Sequence, residues 1–176
     1  MLLSLLKKRR SVRKYQPRPI EKEKIDILVE TLLRSPSSRN LNPWQFVFVT
    51  EPGLLAKLAR SKEHGAAFLK GAALAVVVCA DPQRCDVWIE DCSIAAANLQ
   101  LVAEEMGLGS CWVQIRLRQH SSRSAAEDYI KELLQIPEDL VVESIISLGY
   151  PDESKPAHSA ESLQHDKIFF NIYGQN

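Results

Sequence analysis

The sequence predicts a single domain in which helices and short strands share one core, and three stretches carry that prediction. Residues 72–80 are an unbroken apolar run rich in valine, the pattern of a central strand buried on both faces. Ile25, Leu28, Val29, Leu32 and Leu33 recur at helical spacing and mark residues 21–34 as an amphipathic helix. Residues 87–106 read as a longer helix, with Ala95, Ala96, Ala97, Leu99, Leu101 and Val102 apolar around much of its circumference. A helix of that kind belongs at the centre of a fold. A chain of 176 residues is long enough for one sizeable core.

The remaining elements follow in order. Leu2, Leu5 and Leu6 fit one face of a short first helix ending near Arg9 and Arg10. After the amphipathic helix, residues 35–43 form a polar loop with two prolines. Residues 44–49 are a short strand ended by Thr50-Glu51-Pro52-Gly53, and residues 54–59 are helical. Asp81-Pro82 ends the valine-rich strand. Gly107-Leu108-Gly109 breaks the long helix, and residues 110–115 read as a strand. Ser124-Ala125-Ala126-Glu127 has capping-box spacing and opens a helix carrying Tyr129, Ile130, Leu133 and Leu134, closed by Pro137. Residues 140–148 are a last strand, ended by Gly149-Tyr150-Pro151. A polar arm, residues 152–167, leads to an apolar cluster of Ile168, Phe169, Phe170, Ile172 and Tyr173, which needs a surface to dock on, its own core or another subunit.

Composition narrows the function. Twenty-two basic residues balance 22 acidic ones, which argues against a general nucleic-acid binder. No apolar run reaches the roughly 18–20 residues needed to span a bilayer, and the leucines near the start precede the charges rather than follow them, unlike a secretory signal. A cytoplasmic protein is expected. Cys79, Cys85, Cys92 and Cys111 form no C-x-x-C pair, and no histidine stands at zinc-finger spacing from them. Buried free thiols are expected, and no metal site.

Positive charge is concentrated in Lys7-Lys8-Arg9-Arg10-Ser11-Val12-Arg13-Lys14-Tyr15. The planar guanidinium fork suits phosphate oxygens, and a serine hydroxyl adds a neutral donor. The segment reads as one wall of a phosphate pocket. Taken alone, it reads equally as a solvated helix end, where basic residues are favoured. No G-x-G-x-x-G follows a strand, and neither a Walker loop nor a G-x-S-x-G elbow is present, so hydrolysis by a serine or cysteine nucleophile has no support.

Four strings in register resemble the FMN-dependent nitroreductase family: RRSVRKY, SPSSRNLNPWQFVFV, DVWIEDCSIAAANLQLVAEEMGLGSCWVQI and LGYPDESKP. The resemblance covers nearly the whole chain. It implies an α+β fold with a mixed or antiparallel central sheet flanked by helices. It further implies an intertwined homodimer with FMN at the interface, residues 151–176 forming an arm that wraps the partner and adds to its sheet.

Carried over residue by residue, the resemblance assigns Arg9, Arg10, Ser11 and Arg13 to the FMN phosphate and ribityl chain. Pro36, Ser37, Ser38 and Asn40 would come from the other subunit against the flavin. Trp112, Val113, Gln114 and Ile115 would lie near the isoalloxazine, with a backbone N–H near Gln114 and Ile115 aimed at N5. Lys155 would add a cation at the phosphate, with His158 as the alternative. Larger members carry a helical insertion where this chain has only the short stretch between Ala80 and Trp88. On the residues alone, Asn40 and Asn42 also suit a simple turn, and Trp112 suits simple packing. Asp91 stands where the family often has an acid, with no role assigned.

The implied activity is ping-pong hydride transfer. NADH or NADPH reduces the flavin and leaves, and a nitroaromatic, quinone or similar small acceptor takes its place, with no catalytic side chain required. The alternatives are a flavin-binding or regulatory module with little turnover, or another flavin dehydrogenase or dehalogenase on the same scaffold. No nucleic-acid or membrane partner is expected.

Overall fold

Strand β2 (Leu74–Ala80) is buried at every position because it lies between two other strands and beneath helices on both sides. In the computed structural model, which describes residues 1–174, it pairs antiparallel with β1 (Trp44–Val49) and with β6 (Val141–Gly149). β6 in turn pairs antiparallel with β3 (Gly109–Gln114), giving the order β1-β2-β6-β3. β1 and β3 are therefore the two edges.

Side chains alternate between the faces of a strand, so the sheet has two cores. Leu74, Val76, Val78, Ile146 and Leu148 pack with α2 (Lys22–Leu33) and α4 (Trp88–Glu105). Ala75, Val77, Cys79, Val113 and Ile145 pack with α3 (Pro52–Leu58) and α5 (Ala126–Leu134). An apolar residue is thus required at each position of β2. On α4, Cys92, Ala95, Ala96, Leu99 and Ala103 are buried against the sheet. Ile94 and Ala97 are exposed, so a second apolar face of the central helix remains uncovered in one copy.

The expected elements are present, with ends shifted by a few residues. The first helix, α1 (Leu2–Lys8), buries no side chain, and Leu2, Leu3 and Leu6 stay exposed. The capping box at Ser124 is corrected. Ser124 belongs to a small hairpin, β4 (Gln119–Ser121) and β5 (Ser124–Ala125), and its hydroxyl meets Ser121 Oγ at 2.9 Å. The helix begins at Ala126, and the acid that reaches back is Asp128, whose Oδ2 accepts the Ala125 N–H at 3.2 Å. Glu127 instead accepts the Val142 N–H. The hairpin itself had no recognisable turn pair in the sequence.

Among the described residues the arm after Pro151 is mostly exposed and carries two 3-10 turns, Ala160–Ser162 and His165–Lys167. Its apolar cluster is exposed at Ile168, Phe170, Ile172 and Tyr173, and Gln175 and Asn176 lie outside the described residues. No described helix is long and apolar enough to cross a membrane.

Candidate functional site

The basic segment is laid along the open edge of β3. Arg9 N–H still donates to Leu5 O, after which the chain extends. Ser11 bridges Ser110 in parallel, Val12 N–H donates to Ser110 O at 2.9 Å, and Tyr15 bridges Pro151. Two glycines permit this approach. A Cβ on Gly109 would lie 2.7 Å from Val12 Cγ1, and one on Gly149 would lie 2.9 Å from Tyr15 Cδ1. Tyr15 Oη is 2.7 Å from both Val12 O and Ser147 Oγ. Burial keeps its phenol neutral, well above the ordinary range.

The turn after β6 clamps the same segment. Glu153 Oε1 accepts the N–H groups of Arg13 and Lys14 at 2.5 and 3.2 Å. Lys155 Nζ donates to Ser11 O at 2.5 Å and lies 3.3 Å from Glu153 Oε1. Arg10 donates to Pro156 O. His158 is exposed, so of the two cations weighed at this turn it is Lys155 that lies against the segment. Arg9 and Arg13 have no ion-pair partner among the described residues, and the Arg13 guanidinium rests 5.7 Å over the Phe68 ring. Burial pushes the Cys111 thiol up, while Arg13, Ser11, Lys155 and Arg9 oppose that shift. These groups therefore converge on one stretch of β3.

Along β3, N–H and C=O groups alternate in direction. Ser110 bonds outward to the basic segment, so Trp112 and Gln114 also point outward. The Gln114 carbonyl confirms the phase by accepting Lys62 Nζ at 3.0 Å. Ile115 N–H points the other way and donates to Glu143 O at 3.1 Å, and the side chains of Val113 and Ile115 are buried in the core. Of the four residues expected here, only Trp112 and Gln114 present backbone to the open edge. Trp112 Nε1 also donates to Gln114 Oε1 at 2.9 Å, which fixes the glutamine side chain.

The proline-serine loop is elsewhere. It enters β1, the opposite edge of the sheet, three strand spacings or about 14 Å from β3. It is tied to the start of α4, where Asp91 Oδ1 accepts Ser38 N–H at 2.8 Å and Oδ2 lies 3.3 Å from Cys85 Sγ. Arg39 pairs with Asp86. Arg39, Asn40 and Asn42 have φ of 53°, 56° and 48°, left-handed backbone that asparagine tolerates. Ser37 Oγ closes the turn on Asn42, accepting its N–H at 2.9 Å. The basic segment lies beyond the other end of α4, whose 18 residues span about 27 Å. One chain therefore does not bring the two halves of the expected site together.

Three residues acquire roles that sequence reasoning missed. Asp91 is buried and anchors the loop; its position in the motif was the available signal. Lys62 reaches β3 from a turn with no pattern of its own. Glu143 is the extra residue of a β-bulge, opposite the register shift between Val78 and Cys79. Its carboxyl is buried and accepts Ser93 Oγ–H at 2.7 Å. Burial raises its pKa to about 7, opposed by the bonds from Ser93 and Ser144.

All four cysteines are buried and free, and among the described residues no group of three His, Cys, Asp or Glu could hold a metal ion. A profile of the nitroreductase family matches residues 6–64 and 55–150. The chain is similar in structure to an FMN-dependent nitroreductase from Clostridium difficile R20291, with a TM-score of 0.96 and 45% identity over 97% of this chain and 99% of that one. It is 36% identical to a candidate NADH dehydrogenase/NAD(P)H nitroreductase of Archaeoglobus fulgidus, over 90% of each chain. It is 32% identical to an NADPH-flavin oxidoreductase of Vibrio harveyi, over 91% of this chain and 71% of that one.

Proposed function

The chain belongs to the nitroreductase family, and on that footing we propose that it is an NAD(P)H-dependent oxidoreductase holding FMN between two copies of itself. The observation that carries this reading is the open edge of β3: Arg9 and Arg13, without carboxylate partners, stand at one end, and the outward N–H of Gln114 stands at the other. A phosphate needs the first, and a ring nitrogen that accepts a hydrogen bond needs the second. The residues therefore fit FMN.

When bound, FMN supplies hydride acceptance and release at its N5. Arg9, Arg13 and the Ser11 hydroxyl would hold the phosphate through charge-assisted hydrogen bonds. Lys155 would hold Ser11 in place through the Ser11 carbonyl and Glu153 and keep one N–H to add a cation at the phosphate. Arg10, which spends one N–H on Pro156 O, would join them at the phosphate and ribityl chain with its remaining donors. Gln114 N–H would orient the ring, and Trp112 would keep the Gln114 side chain from rotating into its path.

Pro36, Ser37, Ser38 and Asn40 would come from a second copy. The separation of the two half-sites within one chain supports this, and so does the uncovered apolar face of α4 at Ile94 and Ala97. The exposed cluster at residues 168–173 would dock on that second copy. The acceptor is a nitroaromatic, quinone or similar small molecule, and four reduced thiols suit a cytoplasmic setting.

Purified protein tests this directly. It should be yellow, dimeric, and oxidise NADH or NADPH in the presence of menadione faster than free FMN does. A yellow dimer with no such turnover would favour a flavin-binding module. A monomer that takes up no FMN at saturation would overturn the proposal.

A further inference from the structure

Beyond Gln114, the open edge of β3 ends in a second group of cations. Lys62 Nζ sits on the Gln114 carbonyl at 3.0 Å and keeps two further N–H donors. Arg118 follows from the turn after β3, bonding only its own neighbour, Leu117 O, at 3.0 Å. The turn is held by Arg118 N–H on Ile115 O and by Ala126 N–H on Arg118 O, so the arginine projects from a fixed base. Neither cation has an ion-pair partner among the described residues. The two turns meet where His120 Nδ1 lies 2.9 Å from Arg60 O, and burial, then the charge of Arg118, lower the Lys62 pKa. Two like charges held at one edge, one of them partly desolvated, are unfavourable until an anion joins them.

We infer that Lys62 and Arg118 receive an anionic group, carboxylate or phosphate, of the small molecule that exchanges electrons at this edge. The inference rests on the oxidoreductase reading above and adds a substrate class to it. The phosphate-binding cations Arg9 and Arg13 stand at the other end of the same edge, toward Ser110, so the second pair is free for substrate. The anion belongs either to the nicotinamide nucleotide or to the acceptor, and the chemistry of recognition is the same.

The test uses flavin-loaded wild type, Lys62→Gln, Arg118→Gln and the double variant. One arm compares NADPH with 1-benzyl-1,4-dihydronicotinamide, which carries no phosphate. The other compares 4-nitrobenzoate with 4-nitrobenzyl alcohol. In at least one arm, the ratio of kcat/KM for the charged compound to that for the neutral one should fall about tenfold, through KM. The arm that responds identifies the source of the anion. Calorimetric titration of the oxidised proteins with 4-nitrobenzoate and with NADP+, without turnover, should show the same loss of affinity.

Unchanged ratios in both arms and unchanged titrations would overturn the inference while leaving the flavin reading intact. Wild type that binds no FMN would end the flavin reading. The titrations would then decide the cation pair by themselves.

Discussion

Gly109 and Gly149 stand directly opposite each other in the β3–β6 ladder, and each lies under a side chain of the basic segment, Val12 over the first and Tyr15 over the second. The pair makes a flat end to the sheet on which the cation-bearing strand is seated. Replacing either by alanine places a methyl carbon within 3 Å of that strand. Gly109→Ala should destabilise the fold by about 1–3 kcal/mol, seen as a lower denaturant midpoint, and should also release bound flavin. Normal flavin content in Gly109→Ala would separate the glycine pair from the site.

Arg9→Ala and Arg13→Ala should each weaken FMN binding by about 1.5–3 kcal/mol, roughly 10–150-fold. Ultrafiltration and flavin absorbance measure this, and the double variant should emerge colourless. Equal retention by wild type and the double variant would remove the phosphate assignment.

Asp91→Ala should free the proline-serine loop. The change strips the partly buried Ser38 N–H of its charged acceptor, a loss of about 1–3 kcal/mol. Hydrogen exchange at Ser38 should accelerate while exchange in β2 stays slow. Uniform acceleration across the sheet would mean that Asp91 stabilises the whole fold instead of the loop.

Glu143 predicts a pH dependence of stability. Folded, its carboxyl keeps its proton up to pH about 7; unfolded, it releases it near 4.5. Between those values the folded state binds more protons, so this contribution is complete below 4.5 and is lost as pH rises through 7, by up to about 3 kcal/mol. Denaturation at pH 5 and pH 8 measures the slope. Glu143→Gln keeps an acceptor for Ser93 and should flatten it; an unchanged slope would place the titration elsewhere.

Removing residues 164–176 should raise the dimer dissociation constant at least tenfold in sedimentation equilibrium, because Ile168, Phe170, Ile172 and Tyr173 are exposed in one copy. Unchanged association would confine the interface to α4 and its neighbours.

The helices and sheet strands were legible because each depends on local periodicity. The valine run at 74–80 has one way to hide from water, and Ile25, Leu28 and Leu32 share one face only if that segment is helical. Charge clustering likewise made Arg9, Ser11 and Arg13 visible as a phosphate wall. Sequence by itself therefore determined the main helices and the four strands of the central sheet, and proposed which residues form a phosphate wall.

It left undetermined which of those residues face one another. Only the tertiary structure revealed that Gln114 N–H points outward while Ile115 N–H is engaged by Glu143, since strand phase depends on the register of β3 against β6. Only it brought Lys62 to the same edge from a turn without pattern, and placed the proline-serine loop at the far end of α4. Those relations are set by packing between segments distant in the chain, and a local pattern contains no record of distance through space.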